Sequence, residues 1–278
     1  MSGKLLPLGR SLFAALGLTC AHHNHHSENS TRDMTPFLFF AAVFLTALIS
    51  AVFGMAGGLI LMGVLAALYP VAGAMVAHGL IQSVSNGWRA VLLRRFILWR
   101  TFALFAAGSA MAAAALALVS VTLEKPVLFL VLGLVPMLVW IPKDRFALDA
   151  RRAVDGIAGG VLVTGLNVVA GVSGPLLDVV FQQVDADRRA IVATKAATQV
   201  LSHAVKIAYY AGAALSLANA PPLWMLALAV PLSIAGTTLG ARVLERISDA
   251  HFRNWTKWIV TGIGAVYVVR GVLMMANQ

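Results

Sequence analysis

The chain reads as a succession of long apolar stretches separated by short basic ones. Between Asp33 and Arg89 lie 55 consecutive residues without Asp, Glu, Lys or Arg, too many for one membrane crossing of about 20 residues. Further charge-free runs cover Thr101–Leu123, Pro126–Pro142, Gly156–Leu177 and Ile207–Ala241, and a last segment ending at Met275 is apolar apart from Lys257 and Arg270. The apolarity is continuous instead of alternating, which predicts spanning helices and excludes barrel strands. The expected fold is all-α: a polytopic integral membrane protein with about 8–10 membrane segments.

The pattern also repeats. Sliding the chain by 117 positions lays Gly54-Met55-Ala56-Gly57-Gly58-Leu59 on Gly171-Val172-Ser173-Gly174-Pro175-Leu176. Without a gap, the same shift puts His78 on Lys195, Gln82 on Gln199, Asn86 on His203 and Arg89 on Lys206. A shift of 128 then matches Ala107-Gly108-Ser109 with Ala235-Gly236-Thr237 and Lys125 with Arg253. Two membrane repeats are expected, 34–142 and 153–278, joined by a charged linker at 143–152. The segments Arg89–Arg100, Lys143–Arg152 and Arg242–Lys257 are basic, whereas Tyr69–Gly73 and Gly212–Pro222 are uncharged. With the basic loops in the cytoplasm, the polar-striped helix of the first repeat runs outside to inside and its counterpart inside to outside. That predicts inverted-topology repeats with broken or re-entrant helices, an arrangement in which carriers bind substrate near the midplane.

Composition narrows the class. Of the 278 residues 60% are apolar and 12% charged, too few polar groups to cover the surface of a water-soluble fold. The net charge of +10 falls mainly in loops, and no basic stretch is long or aromatic-interleaved enough to suggest nucleic acid. Cys20 is the only cysteine, so no disulfide framework is expected. Residues 1–33 read as a signal-like segment (Lys4, Arg10, apolar Ser11–Leu18, small residues at Cys20-Ala21) or as a tail ahead of a start at Met34. The tract His22–His26 lacks partner ligands of fixed spacing, and neither a metal site nor a cofactor is expected.

Two constellations carry chemistry. The first is the pair of glycine-containing breaks, with Gly57 and Gly58 in one and Ser173 and Gly174 in the other. Gly costs a helix roughly 1 kcal/mol and Pro about 3, and an opened helix offers backbone N–H groups that suit an anion. Single motifs of this kind serve close helix packing; matched breaks at symmetric positions point to a functional opening. The second constellation is the stripe His78, Gln82, Asn86 and its counterpart Lys195, Gln199, His203. Spacings of four put each triplet on one helical face, and a polar face in a bilayer must look into the protein or a wet cavity. With donors, two imidazoles, one fixed cation at Lys195 and no carboxylate, the six residues favour an oxyanion. Arg89 and Lys206, one turn further along, are expected to snorkel to the interfaces; Asp178 is a candidate to pair with Lys195 or to carry a coupling proton, but is expected on the cytoplasmic side of a helix, outside the core site. His78 and His203 are the candidates to couple transport to protons. From a different class, Gly171-Val172-Ser173-Gly174 with His203 matches an intramembrane serine protease, although the position matching Ser173 in the other repeat is Ala56.

The run Phe44–Leu61, then Ala77-His78-Gly79 through Asn86 and a basic turn, resembles the TauE/SafE sulfite exporter family. In the second half the resemblance is carried by Gly171–Pro175, Ala193–Gln199 and Gly236-Thr237-Thr238-Leu239-Gly240-Ala241-Arg242. It implies a multi-pass carrier of the bacterial inner membrane for sulfite, organosulfonates or related small anions. Alternating access, with protons or sodium as coupling ion, is the expected mechanism, and an anion channel the other non-enzymatic reading. The partners expected are the small anion and the lipid bilayer, and a homo-oligomer is compatible with both.

Overall fold

The computed structural model describes residues 25–53, 55–140, 148–214, 220–244 and 249–277, with side chains described outside 25–35, 55, 214, 244 and 249–256. The signal-like segment up to Ala21, the side chains of the histidine tract, Gly54 and linker residues 143–147 lie outside the described residues. The chain divides into two compact units, 1–38 and 39–278. In the first, the described residues are helical from His25; the packing and the site described below lie in the second.

Among the described residues ten α-helices follow one another: α1 (His25–Phe53), α2 (Met55–Leu68), α3 (Val71–Leu92), α4 (Trp99–Ala117), α5 (Lys125–Leu134), α6 (Ala153–Ala170), α7 (Gly174–Val180), α8 (Arg188–Ala214), α9 (Leu223–Leu244) and α10 (Asp249–Ala276). No strand occurs among the described residues. The chain is a polytopic membrane protein: Pro36–Phe53, Trp99–Ala117, Ala153–Ala170, Leu223–Val243 and Lys257–Ala276 are long and apolar enough to span, and Ala56–Leu68 and Lys125–Trp140 are shorter apolar helices. In the five long segments only 22% to 44% of residues are buried within the protein, so most of their apolar surface is left for lipid.

α3 and α8 are different. They are 22 and 27 residues long, enough for about 33–40 Å at 1.5 Å per residue, yet neither qualifies as an apolar span. The two make the most extensive helix pairing among the described residues. A helix enclosed by other helices can carry polar residues that a lipid-facing one cannot.

Local sequence sets the interruptions. Pro70 caps α3 with φ −56°, and Pro126 and Pro175 stand in the first turns of α5 and α7, where a missing N–H costs nothing. α6 ends on Gly171, whose φ of 79° is a left-handed conformation that favours glycine. α1 stops at Phe53 and α2 is described from Met55, with Gly54 between them outside the described residues; the interruption expected at Gly171–Pro175 is present between α6 and α7. The glycines Gly57 and Gly58, however, lie inside the first turn of α2.

Close packing is reciprocal between the halves. A methyl group on Gly108 of α4 would lie 2.0 Å from the Ile157 carbonyl oxygen and 2.9 Å from the Val161 nitrogen of α6. One on Gly236 of α9 would lie 2.6 Å from the Phe44 carbonyl oxygen of α1. Gly108 and Gly236 are matched by the 128-residue shift, and Phe44 and Val161 by the 117-residue shift. The helix following each polar stripe thus packs against the opening helix of the other half.

The described end of the linker is tied down. Asp149 accepts hydrogen bonds from the Arg151 backbone N–H and guanidinium, which hold its carboxyl below the usual carboxylate range. Arg151 Nη1 donates to the Asp185 carbonyl, and the Ala150 N–H to that of Val180. The segment therefore closes against the loop following α7.

Candidate functional site

A cavity of about 490 Å³ lies where the end of α1, the first turn of α2, α3, the Val172–Asp178 segment and α8 converge. Nine of the ten residues singled out in the sequence line it: Gly58, His78, Gln82, Asn86, Ser173, Gly174, Lys195, Gln199 and His203. Gly57 does not. Its missing side chain admits the backbone of α1, since an added methyl would fall 2.0 Å from the Thr46 carbonyl oxygen and 2.5 Å from the Ser50 nitrogen.

The neighbouring glycines therefore do separate jobs. On Gly58 a methyl would meet Gln82 Nε2 at 2.2 Å, so this backbone has to be bare for the Gln82 amide to rest against it. We expect Gly57→Ala to destabilise the fold by about 1–3 kcal/mol through overpacking, read as a lower melting temperature in detergent. Gly58→Ala should instead keep the melting temperature and weaken anion binding by about tenfold, or roughly 1.4 kcal/mol, as Gln82 is displaced. Equal behaviour of the two variants would contradict this division.

His78 is 1% exposed and bonded at both ring nitrogens. Nε2 lies 2.9 Å from the Gly58 carbonyl oxygen and Nδ1 lies 2.8 Å from Lys206 Nζ. A carbonyl can only accept, so Nε2 carries the hydrogen and Nδ1 accepts from the lysine. Lys206 Nζ donates further to the Gly171 carbonyl at 2.8 Å and to Asn167 Oδ1 at 3.4 Å. Asn167 Nδ2 donates to Ser202 Oγ at 2.9 Å and to His203 Nδ1 at 3.2 Å. The break at Gly171, the two stripes and α6 are thereby joined in one buried polar network, with the His78 and His203 rings 5.5 Å apart.

Three cavity-lining residues keep buried polar atoms without a hydrogen-bond partner in the protein: Arg89 Nη2, Ser173 Oγ and His203 Nε2. With Nδ1 of His203 accepting, Nε2 is the protonated nitrogen. Donors in this condition are costly unless something accepts from them, and two of the three can only donate. Ser173 opens α7 without capping it through its side chain, and it makes no hydrogen bond to His203. The nucleophile and base contact expected of a protease is not formed.

The charge distribution differs from the sequence expectation at three residues. Lys206 does not snorkel: it is 0% exposed, because α8 continues to Ala214 and carries it inside among acceptors. Arg89 lines the cavity instead of leaving for an interface. Asp178 belongs to the site and pairs with Lys195, so the lysine expected to be the site's fixed cation is already neutralised. The lining cations are Arg89, Arg188, Arg189 and Lys195 against the single carboxylate Asp178, an excess of three positive charges with the imidazoles neutral. That excess favours an anion in the cavity.

Sequence reasoning passed over Asn167, although it is the only amide side chain in the charge-free run Gly156–Leu177. An isolated amide in an intramembrane segment was the available signal. Lys206 was visible but misplaced, since its depth depends on where α8 ends. Among the described residues no cluster of His, Cys, Asp or Glu is arranged to hold a metal ion.

The family model described as Sulfite exporter TauE/SafE matches residues 39–267, a range that includes every residue of the cavity. No curated protein and no solved structure matches the chain. On the strength of a match across most of its length, the chain belongs to the TauE/SafE sulfite exporter family.

Proposed function

We propose that the protein is a secondary carrier for a small sulfur-containing oxyanion or organosulfonate, operating in a bacterial inner membrane. The observation that carries this reading is the coincidence, in one cavity, of unpartnered buried donors at Arg89 and His203 with four lining cations against a single carboxylate. An anion cannot enter about 30 Å of hydrocarbon without replacing its hydration shell. The Arg89 guanidinium, the His203 Nε2–H and the Ser173 hydroxyl replace part of that shell. Family membership points to membrane transport of sulfite-type anions in general, and the donor set is consistent with it.

Alternating access is the mechanism we favour. The reciprocal glycine packing of α4 on α6 and α9 on α1 supports two inverted repeats, 34–142 and 153–278, that rock against each other around the α3 and α8 stripes. The basic loops read in the sequence support a cytoplasmic side for the linker.

Flux into proteoliposomes tests the proposal. Labelled sulfite, isethionate or a related sulfonate is expected to move with saturable kinetics and to show countertransport, which a channel would not. Ser173→Ala should keep flux within about threefold, the loss of one neutral hydrogen bond being worth about 0.5–1.5 kcal/mol. Abolition of all activity by that single change would favour the nucleophile reading instead, and failure of every sulfur anion to move would remove the substrate class.

A further inference from the structure

The deepest part of the site bears on how transport is driven. Lys206 Nζ has three acceptors, the Gly171 carbonyl, His78 Nδ1 and Asn167 Oδ1, and no carboxylate pairs with it among the described residues. The titratable groups facing it are His78 from α3 and His203 and Tyr210 from its own helix. The Tyr210 hydroxyl is committed to the Val168 carbonyl. From α6 come only Asn167 and the Gly171 carbonyl, and α2 contributes the Gly58 carbonyl through His78. Arg89 stands further along α3, on the cavity wall.

An ammonium in this cage has all three protons accepted but its charge uncancelled, and a buried charge without a counter-charge costs several kcal/mol. A neutral amine has two N–H groups. It keeps both 2.8 Å bonds and gives up only the 3.4 Å contact with Asn167. Both protonation states therefore fit the same cage, and what separates them is a negative charge nearby. His78 and His203, which contact this network, also line the cavity, so an anion there is about one side chain away. The acceptor nitrogens of both imidazoles already receive hydrogen bonds, from Lys206 and Asn167, which makes either ring a poorer place for an added proton.

We propose that Lys206 is the proton-carrying group of the carrier, protonated when an anion occupies the cavity and neutral when the cavity is empty, so that one proton moves with each anion. The inference rests on the anion-carrier reading above. The proton reaches the Nζ lone pair from water in the cavity by way of His78, which lines the cavity and bonds to Nζ, and returns by the same contact to water on the side of release. Nothing is oxidised or reduced. The carried unit, monoanion plus proton, has no net charge.

The test uses purified full-length protein in weakly buffered detergent, with methanesulfonate, isethionate and thiosulfate as probes whose own charge does not change near neutral pH. Affinity is measured by calorimetry across pH, and proton uptake by an indicator dye in the same samples. Wild-type protein should take up about one proton per anion, and its affinity should fall about tenfold per pH unit above the titration point of Lys206. Lys206→Arg keeps a cation that does not deprotonate; it should bind with pH-independent affinity, take up no proton, and lose anion accumulation driven by a pH gradient in liposomes. Should arginine not fit the cage, Lys206→Gln, which retains amide donors, is read the same way. Anion binding without proton uptake in the wild type, or uptake that survives in these variants, overturns the role of Lys206 alone. Binding of none of the probes, nor of sulfite, overturns the anion site itself.

Discussion

Arg89→Gln should weaken anion binding by roughly 30- to 150-fold, equivalent to about 2–3 kcal/mol for a charge-assisted hydrogen bond in a buried site. Arg89 Nη2 is buried without a protein partner, so the change should cost binding and not folding. The unliganded melting temperature is then expected to hold within a few degrees, while the stabilisation conferred by added sulfonate largely disappears. Arg89→Lys should recover only part of the loss, because an ammonium keeps the charge but not the planar donor fork. The comparison with Lys195→Ala is informative. That lysine already pairs with Asp178, and removing it should affect affinity less than removing Arg89. An Arg89→Gln variant whose affinity stays within threefold of wild type would show that the anion lies elsewhere.

Asn167→Asp should abolish anion binding while leaving the protein at least as stable. The substitution is nearly isosteric and sets a carboxylate where Oδ1 now stands 3.4 Å from Lys206 Nζ. The lysine then has a permanent internal counter-charge and no remaining use for an external one. The lost donation from Asn167 Nδ2 to Ser202 Oγ and His203 Nδ1 is a cost of about 1–3 kcal/mol, offset by the new ion pair. Asn167→Leu is the control: it removes the same donors without supplying charge, and it should lower stability by about 2–5 kcal/mol by leaving buried polar groups unpaired. Thermal unfolding with and without sulfonate separates the two. A fully binding Asn167→Asp protein would mean that the charge of Lys206 is not what the anion senses.

The apolar segments were legible because lipid demands a run of some 20 apolar residues, and segments such as Trp99–Ala117 and Ala153–Ala170 state that demand openly. The stripe of His78, Gln82 and Asn86 was legible because spacing by four survives any rotation of the helix. What the sequence could not supply was depth and partnership. Arg89 and Lys206 occupy matched positions in the two halves, yet one lines the cavity and the other sits in a closed cage. Their surroundings differ: the position matching Asn167, whose amide meets Lys206, is Ser50, which lines the cavity. The pairing of Lys195 with Asp178 was one of several roles open to that carboxylate in the sequence, and no periodic signature selects it. Gly57 and Gly58 are adjacent in the chain and alike in composition, and only the neighbours of each Cα distinguish packing from cavity wall.

The low apolarity of α3 and α8 bears on how the chain is made as well as on what it does. A lysine at the middle of a helix costs about 2.5–3.5 kcal/mol on the scale that governs entry from the translocation channel into lipid. α8 carries Lys195 and Lys206 together with His203 and Gln199, so it is a poor candidate to leave that channel alone. Its polar face needs α3 and α6 as partners, and Asn167 and Gly171, which accept from Lys206, come earlier in the chain. Chain order therefore matters: the acceptors for Lys206 precede it, and the second stripe enters a membrane in which its partners are waiting.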